Sequence, residues 1–148
     1  MRTDESLVNG LSYKLFRIIF IVCAIYFFLM GSGLIFLPEV LIKGFTDVEV
    51  NPAIIGMLRG AGGSILPYSL LYILIFRDPF RRQWALSVIL SANVAAIILD
   101  IVSIVLSEYE FSYTMFDIPV EVMSITGIWM IWSSRKKIQT KQNVQPTA

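Results

Sequence analysis

Long apolar blocks separated by short polar breaks dominate the chain. A helix needs roughly 20 mostly apolar residues to cross the hydrocarbon of a bilayer. Four blocks approach that length, at about 15–37, 53–76, 84–106 and, least apolar, 115–133. The breaks carry turn and charge signals: Pro38-Glu39, Asn51-Pro52, Arg77-Asp78-Pro79 and Ser107-Glu108-Tyr109-Glu110. The pattern predicts an all-α, integral membrane four-helix bundle, forming one domain over residues 1–138. Residues 139–148 are polar, include Pro146, and read as a disordered cytoplasmic tail. The connection from Glu39 to Pro52 is partly apolar through Val40, Leu41, Ile42 and Phe45, which predicts a short segment lying along the interface. The first block is longer than a signal-peptide core of about 7–15 residues and no small-x-small cleavage site ends it, so it is expected to be retained.

Charge placement orients the spans. Arg2, Lys14 and Arg17 precede the first, Arg77, Arg81 and Arg82 lie between the second and third, and Arg135, Lys136, Lys137 and Lys141 follow the fourth. The other two connections hold Lys43 as their one cation and carry Glu39, Asp47, Glu49, Glu108 and Glu110. Positive residues collect on the cytoplasmic side, so both termini are expected there, in a multi-pass protein of the cell membrane. Tryptophan and tyrosine favour membrane interfaces. Trp84, Trp129 and Trp132 then mark the inner interface, and Tyr109, Phe111, Tyr113 and Phe116 the outer one.

Composition agrees and narrows the chemistry. Apolar residues make up 56% of the 148 residues, and the mean hydropathy is +0.72. Soluble domains are about 45–50% apolar. The chain has no histidine, which removes histidine-ligated haem or zinc and histidine acid–base catalysis. Its single cysteine, Cys23, can form neither an internal disulfide nor a Cys-x-x-Cys pair and reads as a small packing residue. The methionines are scattered as core filler. No cofactor, metal or nucleic-acid partner is expected.

Three ionisable residues interrupt the spans. A charge at the centre of a span costs about 2.5–3.5 kcal/mol on insertion scales, so Arg59, Asp100 and Glu121 call for an explanation. At 1.5 Å per residue each lies roughly 9 Å from the outer end of its span, which places one cation and two carboxylates in one outer layer. On the third span Asn93, Ala96, Asp100, Ser103 and Ser107 follow helical spacing, and on the fourth Asp117, Glu121 and Ser124 do the same. Asn93 and Tyr68 lie deeper and are expected to make interhelical hydrogen bonds. Two readings stand side by side. Arg59 pairs with Asp100 or Glu121 to fix helix register, while Asp117 caps the fourth helix with Pro119 in its first turn; or the cluster, with a net charge of minus one when ionised, holds a cationic or hydrogen-bonding guest.

The second span carries backbone signals. Gly56-x-x-x-Gly60 and Gly63 flank Arg59, a small-residue spacing that lets helices approach closely. Pro67 cannot donate to the carbonyl of Gly63, so a bend or hinge is expected there. Gly60-Ala61-Gly62-Gly63-Ser64 lacks the Gly-Lys-Ser/Thr ending of a phosphate loop.

Leu58-Arg59-Gly60-Ala61-Gly62-Gly63, the basic Arg77/Arg81/Arg82 loop and a third span ending with Asp100 form a layout that resembles the small four-helix bacterial membrane proteins of the BphX-like type. More distantly it is similar to DoxX-like proteins. The resemblance implies a bacterial or archaeal membrane protein, and DoxX-like relatives include subunits associated with quinone-linked redox complexes. Three functions are weighed. The first is a non-enzymatic accessory or complex subunit that binds other membrane chains or a second copy. The second is a small-ligand binding or transport protein with an outward-facing polar cavity, taking an apolar or cationic ligand. The third is a lipid-modifying enzyme with Asp100 and Glu121 as acid and base. The first is the expected one.

Overall fold

The computed structural model describes residues 10–45, 51–79, 82–106 and 117–144, with side chains described for 13–44, 51–79, 82–106 and 117–134. The described residues form five helices: α1 Gly10–Phe36, α2 Pro38–Phe45, α3 Pro52–Arg77, α4 Gln83–Val105 and α5 Asp117–Val144. Three of them, α1 from Tyr13 onward, α3 and α4, are long and apolar enough to cross a membrane. The protein is a helical multi-pass membrane protein. The expected fourth span lies within α5, which is less apolar because Asp117 and Glu121 occupy its first two turns.

Local chemistry explains the helix ends. Asn51 caps α3, its side chain accepting from the Ile54 N–H at 3.0 Å, and Pro52 follows at the first helical position, where its missing N–H costs nothing. Asp78 closes the other end through its N–H to the Leu74 carbonyl. The segment after α1 forms α2, and the Leu41 side chain of α2 folds back over Gly33. Helix α3 runs unbroken through Pro67. The expected disordered tail is corrected over residues 139–144, which continue α5. Residues 135–144 contain Arg, Lys and Gln with no glycine or proline, so nothing interrupts the helix before Pro146.

Helix α1 is the centre of the packing, against α3 on one flank and α5 on the other, while α4 packs mainly on α5 and only lightly on α3. The α1–α3 seam is close because two glycines meet. A Cβ on Gly62 would stand 2.7 Å from the Gly31 carbonyl oxygen, and one on Gly31 would stand 3.0 Å from the Leu66 nitrogen. The α1–α5 seam uses Gly127, whose face is filled by the Phe20 ring. Phe16, Ile19, Phe20, Cys23, Tyr72, Ile75, Leu86, Ile89, Ile128 and Ile131 close the apolar core. Cys23 is buried there as a free thiol. Near the start of α1, Arg17 lies 4.4 Å over the Phe76 ring of α3, a cation–π contact that ties the two helices at that end. The outer surface is apolar, with Ile18, Ile25, Phe28 and Leu29 exposed on α1 and Ile98, Leu99, Ile101 and Val102 on α4. A contiguous apolar surface of this extent suits lipid.

Glycine packing differs from the sequence expectation. Gly56, Gly60 and Gly63 do not seat a neighbouring helix among the described residues: each is exposed, and a Cβ added there would meet nothing within 4 Å. The close approach belongs to Gly62 and Gly31. The physical reason is register, since Gly62 lies one residue from Gly63 and therefore about 100° round the helix. Gly62→Ala is expected to destabilise the folded chain by about 1–3 kcal/mol through overpacking. Gly63→Ala, at an open position, should leave stability equal or slightly raised. Reversible unfolding of both variants in mixed micelles distinguishes the two positions.

Candidate functional site

Two tiers of polar side chains lie inside the bundle. The deeper one is neutral. Tyr72 of α3 and Ser124 of α5 share a hydrogen bond of 2.6 Å. Asn93 of α4 donates to Tyr72 Oη at 3.1 Å, to Ser124 Oγ at 2.9 Å and to the Ile89 carbonyl at 2.9 Å. All three residues are buried. Each hydroxyl and the amide nitrogen therefore has partners on other helices, so a polar group that would be expensive in hydrocarbon is satisfied. Asn93 and Ser124 were legible as polar positions. Their partner is Tyr72; Tyr68, expected to make an interhelical hydrogen bond of its own, makes no hydrogen bond among the described residues and packs its ring 6.1 Å from Phe27.

The second tier is acidic and lies toward the α2 end of the bundle, where α1 ends, α3 begins, α4 ends and α5 begins. Glu121 is one turn from Ser124 on α5, and Asp100 is two turns from Asn93 on α4. Asp100, Asp117 and Glu121 lie within electrostatic range of one another. Tyr26 of α1 donates its hydroxyl to Asp117 Oδ1 and lies within range of all three carboxylates. Asp117 is thus held by a side chain from another helix at the first residue of α5. Glu121 is 7% exposed, and its Oε2 is buried with no hydrogen-bond partner among the described residues. Below it, the Cys23 thiol sits 3.9 Å from the Val120 carbonyl and seals α1 on α5. Ser103 is half-buried on the Asp100 face of α4.

Arg59 does not complete this cluster. It is exposed on α3, and among the described residues none forms an ion pair with it. Distance along the helix, which groups it with the carboxylates in the sequence, does not fix the flank that it faces. Its helix turns Gly62, Ser69 and Tyr72 inward, and Arg59 falls at the margin of that stripe beside the exposed Gly56, Gly60, Gly63 and Pro67. Tyr26, by contrast, is hard to single out in the sequence because it sits in an apolar run. The available signal was its hydroxyl, which needs a partner when a tyrosine is buried in hydrocarbon.

Several expected features fall outside the described residues: the aromatic belt at Tyr109, Phe111, Tyr113 and Phe116, the charges Arg2, Asp47, Glu49, Arg81, Glu108 and Glu110, Ser107, and the last four residues of the tail. The side chains of Arg135, Lys136, Lys137 and Lys141 do so too. Of the inner aromatic belt, Trp84, Trp129 and Trp132 all present surface outward, at 59, 66 and 38% exposure.

Tyr72→Phe is expected to lower stability by about 0.5–2 kcal/mol, the range of interhelical hydrogen bonds in membranes, since it removes a partner from both Asn93 and Ser124. Tyr68→Phe should change stability by less than about 0.5 kcal/mol. Unfolding of the purified proteins in mixed micelles checks both.

Comparison with curated proteins gave no match, and comparison with solved structures gave none. Residues 15–137 match a family described as a domain of unknown function, DUF4345. That stretch takes in most of α1, all of α2 to α4 and the first three quarters of α5, and the chain belongs to the DUF4345 family.

Proposed function

We propose that this protein is a four-span cell-membrane protein with both termini in the cytoplasm, and that it works as a non-enzymatic subunit docking on another membrane chain through α3. The carrying observation is Arg59. Its guanidinium is exposed on a helix that is long and apolar enough to span, beside three glycines that no described residue covers. A charge at membrane depth with no ion-pair partner among the described residues is costly, and a carboxylate on a docked helix would offset that cost. The uncovered glycines would let the partner's backbone approach closely. The resemblance of Leu58–Gly63 and its surroundings to BphX-like and DoxX-like proteins is in keeping with a subunit role. A buried cysteine and the absence of histidine favour a role other than catalysis.

The fourth span in this reading is the first two thirds of α5. Its two carboxylates face Tyr26, Asp100 and the bundle interior rather than lipid, so the helix can cross despite its lower apolarity. The basic residues at the two ends and between α3 and α4 support the orientation.

A photoreactive phenylalanine analogue at Gly60 is expected to give one discrete cross-linked species in native membranes, while the same group at Val102 on the exposed face of α4 gives none. Arg59→Leu should abolish that species. Isolation as a lone monomer, with cross-links from position 60 to lipid alone, would sink the subunit reading. Orientation is checked separately in a Cys23→Ser background. Thr3→Cys, Gln83→Cys and Thr147→Cys should resist an impermeant maleimide in intact cells, whereas Val48→Cys and Ser112→Cys should react.

A further inference from the structure

The acidic tier needs something that the docking face does not supply. Glu121 is more than nine-tenths buried and has an orphaned Oε2. The charges acting on it from elsewhere in the bundle are the carboxylates of Asp100 and Asp117. A buried acceptor without a donor is destabilising, and like charges beside it add to that cost. Tyr26 gives its hydroxyl to Asp117, so it does not serve Glu121. The Tyr72, Asn93 and Ser124 groups one turn deeper are occupied with one another. A cationic N–H donor would meet both needs at once, satisfying Oε2 and offsetting the like charges.

Geometry narrows its class. Among the described residues no three acidic, cysteine or histidine groups converge closely enough to hold a metal ion. Tyr26, which holds Asp117, is half-buried and brings an aromatic ring to the tier, with Phe27 edge-on beside it at 5.6 Å. Carboxylates beside aromatic rings suit organic ammonium ions, through charge and cation–π attraction together.

We propose that Tyr26, Asp100, Asp117 and Glu121 form a binding site for a small protonated organic amine, with an ammonium N–H donating to Glu121 Oε2 and the organic part against Tyr26 and Phe27. This site lies apart from Arg59 and its exposed glycine face, so it stands or falls independently of the subunit reading.

The test uses the full chain in micelles and three probes of similar size. Phenethylammonium has both charge and N–H donors, benzyltrimethylammonium has charge alone, and benzyl alcohol has a donor alone. Saturable binding of phenethylammonium is expected, with the other two at least about tenfold weaker, a difference of about 1.4 kcal/mol. Glu121→Gln should remove that preference, while Glu39→Gln, at an exposed residue of α2, should retain it. A second measurement requires no variant: modification of Glu121 by a hydrophobic carbodiimide, followed by mass spectrometry, should slow as phenethylammonium is added. Equal binding of the three probes, an undiminished preference in Glu121→Gln, or a labelling rate indifferent to phenethylammonium would each overturn the proposal.

Discussion

The contact on which the bundle depends is the meeting of Gly31 with Gly62. With no side chain on either residue, the α1 and α3 backbones come within contact distance, and the rest of the packing follows from that seam. It turns one face of α1 toward α3 and leaves the adjoining face for α5, where Phe20 fills the space over Gly127. It also fixes the rotation of α3. With Gly62 inward, Ser69 and Tyr72 are inward, and Gly56, Gly60 and Gly63 are outward. One glycine pair thus determines both what the bundle encloses and what it offers to its surroundings.

What it encloses is a contrast between two polar tiers about one turn apart. Inside a membrane the unfolded alternative also lacks water, so a hydrogen bond contributes modestly and an unmet polar group is what costs. The Tyr72–Asn93–Ser124 tier meets this constraint with interhelical bonds and no net charge. The carboxylate tier meets it for Asp117 through Tyr26 and leaves it open at Glu121 Oε2. A protein that needed only structural polarity here could have repeated the neutral solution one turn higher. Three acidic residues from two helices are a poor choice for stability alone.

Much of the architecture was legible because it rests on local rules. Apolar runs placed α1, α3 and α4 within a few residues of their observed bounds, Asn51-Pro52 announced the start of α3, and the partly apolar Glu39–Phe45 stretch became α2. The third and fourth spans each showed a polar stripe, and Asn93, Asp100, Asp117, Glu121 and Ser124 do face inward or half-inward. What the sequence hid depends on which helix docks against which. Periodicity shows that Gly56 and Gly60 share a face with each other, but Gly62 shares one equally well with Leu58 and Leu66, and spacing alone does not choose between them. Arg59 was assigned to the cluster by depth, and depth is silent about rotation. Tyr68 and Tyr72 are one turn apart, and only the seat of α3 on α1 decides which reaches Asn93. Polarity alone does not separate a disordered tail from the helix that runs to Val144, since Arg, Lys and Gln are sound helix formers.

The two chemically distinctive features of the chain lie on different helices but are joined through α1. That helix supplies Gly31 to the α3 seam and Tyr26 to the acidic tier, five residues apart, or about 7.5 Å along one rigid rod. Helix α3 in turn carries Arg59 less than one turn before Gly62. At that seam a Cβ on Gly62 would meet the Gly31 carbonyl oxygen at 2.7 Å and the Leu34 and Ile35 side chains at 2.8 and 3.0 Å. Packing this close leaves little slack between α1 and α3. The seam that defines the fold therefore also sets how the arginine-bearing helix is seated on the helix that holds Asp117.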